Sequence, residues 1–87
     1  MNQPTVYLIG AGPGDPGLIT VRGLECLRTA DVVIHDHLVS SRLLKYARHD
    51  AELIDVGGAA PQPMAQEAIS ILLAEKAREG KHVARLK

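Results

Sequence analysis

Aromatic side chains are nearly absent from this 87-residue chain, which has no phenylalanine, no tryptophan and only Tyr7 and Tyr46. Single-stranded nucleic acid is held by stacking bases on exposed aromatic faces, so that class of function loses its usual platform. Charge of one sign is lacking too: 10 basic residues balance 10 acidic ones. Without a basic excess to neutralise phosphates, nucleic acid is not an expected partner. Cysteine is reduced to Cys26 alone. It cannot close an internal disulfide, which fits a reducing, cytoplasmic setting, and its plainest role is that of a small helix residue facing the core. No apolar run approaches the ~20 residues of a membrane span. Polar Asn2, Gln3 and Pro4 lead straight into a strand-like run, which is not the pattern of a secretory leader. No partner in the membrane is expected.

What the chain has is aliphatic: apolar residues make up 46% of it. They alternate between two periods. Val6-Tyr7-Leu8-Ile9 is a short apolar run halted at Gly10, as a buried strand would be. Thr20 is placed to cap a helix with Val21, Leu24 and Leu27 along one side. Val32-Val33-Ile34 makes a second strand ending near Asp36, and Ser40 is placed to cap a short helix carrying Leu43, Leu44 and Ala47. A third strand is predicted from about Glu52 to Val56. The following helix has Ala65, Ile69, Leu72, Leu73 and Lys76/Ala77 at helical spacing, with Gly80 to end it. His82 to Leu86 reads as a fourth strand. The order β-α-β-α-β-α-β predicts a single α/β domain over residues 1–87, with a mostly parallel sheet and helices on both faces.

Chemistry in such a sheet gathers beyond the carboxyl ends of its strands. The first of these ends carries GAGPGDP, Gly10 to Pro16. A dinucleotide loop of the form G-x-G-x-x-G would need glycine where this chain has Asp15, whose carboxylate repels a diphosphate. Pro13 also withholds an amide that a phosphate would use. No Gly-Lys-Ser/Thr follows, so a Walker-type loop is excluded. Two alternatives stay open on spacing alone: a ligand-free tight turn, or a backbone cradle for a neutral or cationic cofactor. The second end carries His35-Asp36-His37. Asp36 lies where ligands bind, although a solvated loop acid or a helix cap would also use aspartate. The two histidines have no evident third partner, so no metal site is expected.

The run from Val6 to Ser40 resembles the opening signature of the tetrapyrrole methylases, an apolar strand followed by G-x-G-P-G-x-x-x-L-[LI]-T. Gly10, Gly12, Pro13, Gly14, Leu18, Ile19 and Thr20 match it without a gap. The resemblance implies an S-adenosylmethionine-dependent C-methyltransferase, which releases S-adenosylhomocysteine and has its cleft between two α/β domains. Gly12, Pro13 and Gly14 would then line the cofactor site. Uroporphyrinogen methylases carry an aromatic-Asp-Arg-Leu-Val-Ser run at the second strand, of which this chain keeps Asp36, Leu38, Val39 and Ser40 but has His35 and His37. By that resemblance Asp36 is the catalytic residue, as proton acceptor or substrate anchor. The substrate implied is uroporphyrinogen III and the product precorrin-2, on the way to sirohaem and cobalamin.

The family's usual V-G-K-R is Val56-Gly57-Gly58-Ala59 here, so its lysine is missing. After Lys87 relatives continue with a Gly-Gly-Asp-Pro loop and a C-terminal domain. The expectation is therefore of a chain cut short, inactive alone, and homodimeric when complete. Lys81, Arg85 and Lys87 are expected as a basic strand end, either simply solvated or facing tetrapyrrole carboxylates. The rival expectations are a later precorrin methylase, a nucleotide-binding module with Asp36 on a ribose, and a folding or dimerisation unit without activity of its own.

Overall fold

The structure is a computed structural model describing residues 6–10, 19–36, 41–57 and 65–87. Its elements are β1 (Val6–Ile9), α1 (Val21–Thr29), β2 (Val32–His35), α2 (Ser41–Leu44), β3 (Glu52–Asp55), α3 (Gln66–Arg78) and β4 (Val83–Leu86). The four strands form one parallel sheet in the order β1-β4-β2-β3. The α/β expectation holds.

Strand order follows from how each crossover travels. From β1 to β2 to β3 the chain moves in one direction across the sheet; from β3 it returns to insert β4 between β1 and β2. Right-handed crossovers that reverse direction must also change face. The two core clusters agree. Leu27 of α1 and Leu43 of α2 pack with Ile9, Val33, Ala84 and Leu86 on one face. Ile69 of α3 packs with Val32, Ile34 and Val83 on the other. Burial on both faces explains why Val32-Val33-Ile34 of β2 reads as a continuous apolar run and why every residue of β4 is buried, Arg85 included.

Local chemistry fixes the helix ends. The Thr20 hydroxyl accepts from the Gly23 N–H at 3.0 Å, as its place before α1 predicted. Gly80 lies just past α3 with φ +85°, a left-handed conformation that a side chain would strain, and its N–H reaches the Ala77 carbonyl. Ala65 caps α3 without a side-chain bond instead of belonging to its apolar face. Val21 is also misplaced by the sequence pattern: it is 76% exposed, and α1 turns Gly23 and Leu27 to the sheet. Cys26 packs half-buried against that cluster. Among the described residues, no helix is long and apolar enough to cross a membrane.

At the amino ends of the strands Asp31 ties three of them together. Its carboxylate accepts the His82 N–H at 2.8 Å and pairs with Arg48 at 2.9 Å, while its carbonyl receives the Glu52 N–H. These contacts, led by the His82 amide, hold its carboxyl below the usual range. The opposite ends of the strands are left for chemistry.

Candidate active site

Two adjacent strands whose chains depart to opposite faces leave a crevice beyond their carboxyl ends. In this sheet they are β2, which leads to α2, and β3, which leads to α3. The residues at that divergence are His35 and Asp36 on one strand and Asp55, Val56 and Gly57 on the other. Main-chain bonds hold the two ends together, with the Val56 N–H on the His35 carbonyl at 3.0 Å. The Asp55 carboxylate turns back to accept the Gly57 N–H at 2.8 Å, closing the end of β3 tightly.

Asp36 is thus set by an interior strand, as its sequence position suggested. Its N–H donates to the Leu86 carbonyl of β4 at 3.3 Å. Its carboxylate Oδ1 accepts from Arg85 Nη2 at 2.8 Å. Asp36 keeps 41% of its side chain exposed, while Arg85 keeps 3%. His35, whose Nδ1 lies 3.1 Å from the Asp36 carbonyl, points to the other face of the sheet through its register with Leu86. Among the described residues no group of three or more candidate ligands could hold a metal ion; His37 lies outside them.

The basic end expected from Lys81, Arg85 and Lys87 is divided. Lys81 pairs with Glu79 at 3.2 Å, and Lys87 is exposed. Arg85 is not a solvated strand terminus: it is 2% exposed within the sheet. The sequence pattern missed it because β4 was legible as a strand but not as a central one. An arginine inside a Val-Ala-Arg-Leu run was the one available clue.

The glycine loop begins at Gly10, exposed at the end of β1 with nothing within 4 Å of where a Cβ would stand. Gly12, Pro13 and Gly14 lie outside the described residues. Beside Gly10 a cavity of about 330 Å³ is walled by Tyr7, Leu8, Ile9, Thr20, Arg22, Gly23 and Cys26. That volume is at the low end of small-molecule clefts, and mostly apolar walls with a few polar groups suit a nucleoside. The described walls suit the uncharged nucleoside portion of a cofactor, while Arg22 among them disfavours a cationic centre at that spot.

Comparison with known proteins places these features in context. The sequence profile of the Tetrapyrrole (Corrin/Porphyrin) Methylases matches residues 5–87. A uroporphyrinogen-III C-methyltransferase of Methanocaldococcus jannaschii is 55% identical over 83 residues, covering 94% of this chain and 34% of that protein. Siroheme synthase 1 of Yersinia enterocolitica is 53% identical over 87 residues, 99% of this chain and 18% of that protein. Among solved structures, a uroporphyrin-III C-methyltransferase from Thermus thermophilus superposes with TM-score 0.80 at 45% identity, over 94% of this chain and 33% of that one. A further structure of a Thermus thermophilus uroporphyrin-III C-methyltransferase, complexed with S-adenosyl homocysteine, gives 0.73 at 41% identity, over 94% of this chain and 31% of that one. A cobalt precorrin-4 methyltransferase gives 0.78 at 41% identity, over 93% of this chain and 32% of that one. The chain spans about a third of the first of these relatives and under a fifth of the second.

Proposed function

The chain belongs to the tetrapyrrole (corrin/porphyrin) methylases, and on that footing we propose that it forms the N-terminal part of a uroporphyrinogen-III C-methyltransferase. The observation carrying this reading is the Asp36 carboxylate, anchored at the carboxyl end of an interior strand and still 41% exposed. Methylation of a pyrrole carbon leaves the ring cationic until a proton departs. A fixed carboxylate beside that carbon stabilises the charge and accepts the proton.

S-Adenosylmethionine, when bound, supplies a methyl group on sulfur that is displaced in line. The chain's own contribution is to bind and align. Gly10 and the residues around the cavity beside it are the described groups that would hold part of the cofactor; the family resemblance assigns Gly12, Pro13 and Gly14, which lie outside the described residues, to the same role. Alignment of two bound reactants supplies much of the acceleration of the methyl transfer itself.

A second reading, methylation of a later precorrin, draws on the likeness to the cobalt precorrin-4 enzyme. The full-length enzyme, incubated with S-adenosylmethionine and uroporphyrinogen III, separates them. Two methyl groups added to uroporphyrinogen III support the first reading. No methylation of it, with turnover of an already methylated precorrin, establishes the second. The 87-residue chain alone is expected to give no turnover.

A further inference from the structure

Within the sheet, Leu8, Arg85, Ile34 and Ile54 are registered side by side on β1, β4, β2 and β3. Three of these positions are aliphatic and the fourth is a guanidinium at 2% exposure. Taking a cation out of water costs several kcal/mol, and a well-packed apolar residue in its place is often neutral or stabilising. Stability of the core therefore does not explain Arg85.

Its hydrogen bonds do. Nη1 donates to the Leu86 carbonyl at 3.1 Å and to the Ile34 carbonyl at 3.4 Å, tying the guanidinium to the backbone of both central strands. Nη2 grips Asp36 Oδ1 at 2.8 Å. Nε has no acceptor among the described residues, so the group is under-satisfied even after this arrangement. Asp36 itself lies just beyond β2, where the main chain alone leaves its side chain free to rotate. Arg85 references one carboxylate oxygen to the rigid sheet, and no described residue engages the other oxygen.

We propose that Arg85 is the positioning residue for Asp36, fixing Oδ1 so that Oδ2 is presented to the tetrapyrrole carbon undergoing methylation. The inference rests on the methylase reading given above. An error of about 1 Å in the placement of a reacting group costs on the order of 100-fold in rate. Lysine does not replace the planar fork, since it cannot hold two carbonyls and a carboxylate in one plane.

The test uses the full-length enzyme with Arg85→Met, Arg85→Lys, Asp36→Asn and the double variant Asp36→Asn/Arg85→Met. Arg85→Met is expected to lower kcat about 10- to 100-fold, while KM for uroporphyrinogen III and Kd for S-adenosylhomocysteine stay within about two-fold. In the Asp36→Asn background the same change should have little further effect on kcat, because nothing remains to be positioned. Should Arg85→Met fail to fold, Arg85→Lys carries the same comparison. Unchanged kcat in a folded Arg85 variant, or an equal loss with and without the Asp36 carboxylate, overturns the positioning role alone. Absence of turnover by the unmodified enzyme overturns the methylase reading and this inference with it.

Discussion

Gly23→Ala pits helix propensity against packing, and the two give opposite signs. In an exposed helix alanine is better than glycine by about 1 kcal/mol. Gly23 is in the first turn of α1, but it is buried against the end of β1. A Cβ there would stand 3.0 Å from Ile9 Cγ2, 3.0 Å from Thr20 Oγ1 and 3.2 Å from Ile19 Cγ1. Ile9 is packed in the core cluster on one side although it also walls the cavity beside Gly10, and Thr20 Oγ1 is held by the cap bond to Gly23 itself. Forcing a methyl group into packed surroundings costs about 1–3 kcal/mol, and disturbing an N-cap adds about 1 kcal/mol. The balance is a net loss of about 1–3 kcal/mol, or a Tm lower by roughly 4–24 °C for a domain of this size. Urea and thermal denaturation of the chain, read by circular dichroism, measure it. Thr29→Ala, at the exposed end of the same helix, is the control and should lie within about 0.5 kcal/mol of the parent. A Gly23→Ala variant that gains stability would refute the close seating of α1 on β1, and with it the shape of the cavity beside Gly10.

Asp31 provides a pH-dependent expectation. Its folded carboxyl titrates below the ordinary value because the His82 amide, and then Arg48, favour the charged form. A depressed folded value means stabilisation that is present above about pH 4 and is lost as pH falls through the folded value. Asp31→Asn should therefore be less stable at pH 7 and lose less stability than the parent between about pH 4 and pH 2; parallel acid-denaturation curves would contradict it. Asp36 variants should rank by what they leave for Arg85. Asp36→Asn keeps an acceptor and should cost about 1 kcal/mol, whereas Asp36→Ala strands a buried guanidinium and should cost about 2–4 kcal/mol. Equal urea midpoints for the two would argue against a buried pair.

The sequence made the layered sheet legible because buried parallel strands are written as short apolar runs between turn residues. Val32-Val33-Ile34 shows this, whereas Val6 to Ile9 reads the same way yet forms an edge strand with Leu8 77% exposed, and Gly80 marks a boundary by backbone freedom. Asp36 was legible as well, since a strand's carboxyl end is visible from local pattern. What local pattern does not carry is strand order. Nothing in Val83 to Leu86 says that β4 inserts between β1 and β2, so Arg85 read as part of a charged terminus rather than as a buried partner. The α1 stripe held at Leu27, which is buried as expected, but failed at Val21 for a related reason. Its contact face is centred on Gly23 and Leu27, and a glycine that packs closely leaves no mark on a hydrophobic pattern.

Turnover by Asp36→Asn full-length enzyme at saturating uroporphyrinogen III and S-adenosylmethionine bears on everything above. If a sheet-anchored carboxylate serves the carbon that receives the methyl group, kcat falls at least about 100-fold, with the fold retained and S-adenosylhomocysteine bound as before. A folded variant turning over at the parent rate would remove Asp36 from the reaction and leave the crevice without a chemical role.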